Sequence, residues 1–116
     1  MSARASFKAI ARDPSVAKVH GSTTGGGTPV LSDAAYNVSS VVDAGVGTLT
    51  VNFAVPFATA DYAVVAMPTE ASSLARQALC SSKSAGSMVL LIVNNAASAS
   101  AVDPTTGYNF ACFGDQ

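Results

Sequence analysis

A chain of 116 residues, 49% hydrophobic and 11% charged, is long enough for one domain with a single modest core. Its charged fraction is less than half of the roughly 25% usual in soluble domains. A net charge of −1, one histidine and two cysteines exclude a strongly basic nucleic-acid binder and a cysteine-dense disulfide scaffold.

A surface so poor in charge is either covered by partners or built from small uncharged residues, and cover is the preferred reading. The charge is also unevenly spread. Residues 1–27 carry Arg4, Lys8, Arg12 and Lys18 against Asp13, a net +3, whereas residues 28–116 sum to −4. A basic end on an acidic body suits docking to an acidic neighbour. Nucleic acid is not expected as a partner, since four cations beside an acidic body would make few phosphate contacts.

In chain order, residues 1–33 read as an N-terminal arm and residues 34–116 as the body. Phe7, Ile10 and Ala11 share one side of a short helical pattern. Pro14 limits that pattern, because the residue before a proline avoids the helical region. Gly21 to Pro29, GSTTGGGTP, has a linker's composition. The start lacks the apolar core of a signal peptide, and the longest apolar run, Met88 to Val93, falls far short of the roughly 20 residues of a membrane span. No membrane association is expected.

The body reads as six short strands. Ala35 to Val42 carries Tyr36, Val38 and Val42 on one face, and Asp43 to Gly47 forms a glycine turn. Thr48 to Phe53 alternates, with Leu49, Val51 and Phe53 inward. Asp61 to Met67 is a third strand ended by Pro68, Leu74 to Cys80 a fourth, Ser87 to Asn94 a fifth and Tyr108 to Phe113 a sixth. Turns between them and the absence of a body helix predict an all-β fold, an antiparallel β-sandwich or small barrel. Cys80 and Cys112 both fall in strand-like runs, where a free cysteine behaves as a small buried hydrophobe; a single disulfide between them is the alternative.

Two strands, Tyr62 to Ala66 and Met88 to Val93, are apolar on both faces. A body of this size cannot hide both faces of both strands, which predicts self-association. The expected subunit contacts are Tyr62, Val64, Met88, Leu90 and Ile92.

The run YNVSSVVDAGVGTLTVNF, Tyr36 to Phe53, followed by FATADYAVV to Val65, resembles a β domain of tailed-bacteriophage structural proteins. The matching features are an aromatic-Asn-Val-Ser-Ser strand, an Asp/Gly turn, a Thr-x-x-Val-x-Phe strand and an Asp-Tyr-x-Val strand. The ending NFACFGD is similar to the last strand of such domains. The resemblance implies a virion component, commonly trimeric. With no shaft and no repeats before the body, the reading is a capsid decoration or cement protein. It would bind the major capsid protein of the assembled head as a homotrimer and stabilise the shell. Arg4, Lys8, Arg12 and Lys18 would meet acidic partners, with Phe7 and Ile10 as apolar anchors. The alternative is a tail-fibre or head-fibre module contacting a host surface receptor through loops 69–73 and 96–106.

No catalytic group is expected. Gly25-Gly26-Gly27 lacks the Lys-Ser/Thr of a phosphate loop, the acids are scattered singly, and His20 has no cysteine partners at zinc spacing. No cofactor or metal is expected either.

Overall fold

The structure, a computed structural model, describes residues 12–25, 28–70, 75–95 and 100–116. It is all-β. The strands are β1 (Val19–Thr24), β2 (Val30–Leu31), β3 (Val38–Gly45), β4 (Thr48–Phe53), β5 (Ala63–Thr69), β6 (Arg76–Ser84), β7 (Ser87–Asn94) and β8 (Gly107–Phe113). They form two four-stranded antiparallel sheets, ordered β2-β1-β8-β5 and β3-β4-β7-β6, packed face to face as a β-sandwich.

The placement of strands follows their patterns. The interior strands β4, β7 and β8 are the most regularly apolar on their inner faces. Leu49, Val51 and Phe53 from β4 meet Met88, Leu90 and Ile92 from β7, and Tyr108, Phe110 and Cys112 from β8. Each such side chain contributes roughly 1.5–3 kcal/mol by leaving water. Phe57 and Tyr62, from the β4–β5 connection, cap one end of this core. Their rings stack at 4.2 Å, and Phe53 meets both edge-on at 5.5 and 5.6 Å. The Tyr62 hydroxyl donates towards the carbonyls of Ser84 and Ser87, tying the cap to the β6–β7 hairpin.

Several boundaries differ from the sequence reading. The body begins before residue 34. Residues 19–22 pair with β8, from Val19↔Cys112 to Ser22↔Asn109, residues 23–24 pair with β2, and Val19 and Thr23 are buried. Gly21, expected in a linker, lies in β1. A Cβ there would sit 3.1 Å from both Ala35 and Phe110, so this glycine serves close packing and not flexibility. Residues 1–11 and 26–27 of the expected arm lie outside the described residues.

The first body strand starts three residues later than expected and runs to Gly45, with an irregularity between Val38 and Ser40. That shift turns Val41 inward and leaves Val42 exposed; Tyr36 lies before β3, where it bridges to His20 ahead of the positive φ of Asn37, 58°, and is exposed too. β5 continues through Pro68 to Thr69, because it is an edge strand, where a missing N–H is tolerated. β6 extends to Ser84 past an irregularity between Cys80 and Ser82. Gly47, in the β3–β4 turn at φ 65°, is the expected turn glycine. A side chain there would also strike the Val102 carbonyl, 2.4 Å from the Cβ position.

Candidate interaction surface

The residues expected to bind partners separate into three groups. Arg4, Phe7, Lys8 and Ile10 lie outside the described residues, and Arg12 is exposed. Lys18 is not a docking cation: it is 0% exposed, and its ammonium donates to the carbonyls of Asp13 and Val16. It locks the turn before β1. Asp13 beside it is held below the usual carboxylate range by the Ser15 hydroxyl and N–H, assisted by the Lys18 charge.

The expected subunit contacts also change. Tyr62, Met88, Leu90 and Ile92 are at most 2% exposed within a single chain, and Val64 packs against the same core. A side chain already enclosed by its own sandwich has no surface left for a neighbour. Both strands are apolar on both faces, but the surplus lies on the face opposite to these residues. On β7 the chain itself covers part of it. Val93 forms a bridge with Ala101, and Val102 N–H donates to Ile92 at 3.0 Å. On β5 Ala63, Val65 and Met67 remain exposed.

The two outer faces follow from the registers. On the β2-β1-β8-β5 sheet, β1 presents His20 and Ser22, β8 presents Asn109, Ala111 and Phe113, and β5 presents Ala63, Val65 and Met67. On the other sheet, Val42 and Thr50 lie beside Val89, and Thr48 and Leu79 flank Leu91. Among the described residues, no Asp, Glu, Lys or Arg projects from either face. Arg76 and Lys83 share the inward register of Ala78 and Leu90's neighbours, and both are engaged at the sandwich edge. Lys83 donates to the Tyr62 carbonyl at 2.7 Å and sits 5.2 Å over its ring. The described acids lie in turns, in loops or at the end of β3.

A concavity of about 430 Å³ lies on the β2-β1-β8-β5 face. Its floor and one wall are small residues, Gly21, Ser22, Ser32, Ala34 and Ala111, and the other wall is Val65 and Met67. His20, stacked on Tyr36 at 5.6 Å, marks one end, where a smaller depression with Val16 and Ala17 adjoins it.

The loops nominated for receptor contact meet at one node. Arg76 donates to both Glu70 oxygens at 3.3 and 3.1 Å and to the Asp103 carbonyl at 3.0 Å. Thr105 donates its N–H to Glu70 at 3.1 Å. Burial alone would raise the Glu70 carboxyl, but the Thr105 donors and the Arg76 guanidinium outweigh it and hold the group below its ordinary value. Asp103 accepts from Gly47 N–H at 2.8 Å, and Tyr108 is 1% exposed. The acids and aromatic of these loops are therefore spent internally. Residues 71–74 and 96–99, within the same loops, lie outside the described residues.

Cys80 and Cys112 are both free thiols, Cys112 buried and Cys80 exposed; the expectation of burial holds only for Cys112. Burial, with a smaller effect from Cys80, pushes the Cys112 thiol up to about 12. Among the described residues no three His, Cys, Asp or Glu side chains converge as a metal-binding group. Comparison with family models, with curated proteins and with solved structures finds no match to this chain.

Proposed function

We propose that this protein is an assembly component of a bacteriophage virion, a head decoration or cement protein that binds the assembled shell as an oligomer and stabilises it. The observation that carries the assembly half of this reading is the pair of outer faces without a charged side chain among the described residues. Soluble domains that stay apart keep charge on such faces, and extended uncharged apolar patches mark association surfaces. The virion setting rests on the resemblance of Tyr36 to Val65 to tailed-phage β domains.

The mechanism is linkage. A protein that binds the assembled lattice, and not its separated subunits, stabilises the lattice by about 2.7 kcal/mol at a free concentration 100 times its Kd. Several copies joined in one oligomer raise one another's effective concentration, so weak single contacts hold firmly. Arg4, Lys8 and Arg12, with Phe7 and Ile10, remain the proposed docking segment for an acidic capsid surface. Lys18 is removed from that set by its burial.

The test adds the purified full chain to head particles that lack it and follows their rupture on heating. Saturable binding with a higher rupture temperature supports the reading. Particles that neither bind the chain nor gain resistance overturn it. Binding of the chain to host cells instead would favour the receptor-contacting alternative.

A further inference from the structure

We infer that the outer face of the β2-β1-β8-β5 sheet is the contact between copies of this chain, the Val65–Met67 ridge of one copy seating in the small-residue trough of the next. This deepens the assembly reading and does not depend on the virion setting.

Three observations support a second copy as the occupant. The face carries projecting and recessed halves side by side. Val65 and Met67 stand 57% and 60% exposed, directly beside a trough floored by Gly21, Ala34 and Ala111. A surface holding both a knob and its socket gives each copy the two halves of a contact with another, and a two-fold arrangement of such faces closes the assembly. The face is also uncharged among the described residues. A charged partner would lose hydration there without a counter-charge, whereas a second copy brings an equally uncharged surface. Asp33, the nearest acid along the chain, lies between lining residues Ser32 and Ala34 but does not itself line the trough. Finally, the whole chain carries a net charge of only −1, so little long-range repulsion opposes approach of two copies. The opposite outer face also has exposed apolar side chains, Val42 and Leu79, which makes it the control surface.

Sedimentation of the full chain across a concentration series tests this, with Met67→Glu on the ridge, Ala111→Arg in the trough and Leu79→Glu on the opposite face as a control. Circular dichroism confirms that each is folded. The expected result is an associating wild type, a dissociation constant raised at least about tenfold in both Met67→Glu and Ala111→Arg, and no change in Leu79→Glu. A monomeric wild type overturns the inference, as does an oligomer broken by Leu79→Glu and not by the other two. An oligomer that ignores head particles would sink the virion reading alone. A monomer that still binds and stabilises them would sink this contact and the oligomer, and leave the cement role standing.

Discussion

Lys18 illustrates how burial reassigns a charge. In sequence it is one of four cations at a basic end; in the fold it is enclosed, and its ammonium bonds to the carbonyls of Asp13 and Val16. Lys18→Glu would turn a carboxylate towards those carbonyl oxygens, and a loss of about 3–5 kcal/mol in urea unfolding is expected. Lys18→Met, which keeps the buried stem, should cost about 1–2 kcal/mol. An unchanged unfolding midpoint in Lys18→Glu would restore it to the docking segment. The cysteines give a second test at this scale. Cys112, at 0% exposure with a thiol pushed up to about 12, is protonated and enclosed, so a thiol reagent should modify Cys80 alone in the native chain. The second equivalent should react only on unfolding, and mass spectrometry distinguishes the two.

At the scale of elements, the link that joins the end of β5, the start of β6 and the loop before β8 is the Glu70–Arg76–Thr105 cluster. The Glu70 side chain is 8% exposed, and its folded value lies below the ordinary one. Its contribution is therefore fully present above the unfolded value near 4.3 and is lost as pH falls through the folded value. Glu70→Gln should be less stable than wild type at neutral pH, with the gap closing under acid. Unfolding curves at a series of pH values measure it, and a gap that persists at low pH would show that the carboxylate charge is not what holds the cluster. The strands themselves were largely legible, because period-two alternation is a direct record of one buried and one open face. Val51 and Leu49 could be placed inward from that alternation alone. Val42 could not, because the irregularity near Ser39 shifts the faces without leaving a clear mark in composition, and Tyr36 could not, because its bridge to His20 is a tertiary pairing.

For the whole molecule, the extent of the folded unit changes which truncations make sense. Removing residues 1–27 would delete β1, strip β8 of its partner from Val19 to Ser22 and open the core. That chain is expected to lose cooperative unfolding, whereas removal of residues 1–11 alone should keep it, with a midpoint within a few degrees of wild type. Calorimetry of the two chains checks this, and a cooperative transition in the shorter one would return the body boundary to residue 34. A stable chain without residues 1–11 also removes Arg4, Phe7, Lys8 and Ile10 of the docking segment for the particle assay.

The class of fold, the inward side of Leu49, Val51 and Phe53 and the shortage of charge are legible in the residues alone, since alternation, turn glycines and composition are local properties that survive translation into any packing. The sequence also indicated that β5 and β7 carry more apolar surface than one core can use. Which side of those strands was surplus was decided only by tertiary structure. Inner and outer faces of a doubly apolar strand look alike in sequence, and the choice between them depends on which sheet lies opposite. The same limit applies to β1. Its Gly-Ser-Thr-Thr run has the composition of a linker, and only the free side of β8, with Phe110 to pack against Gly21, made it a strand.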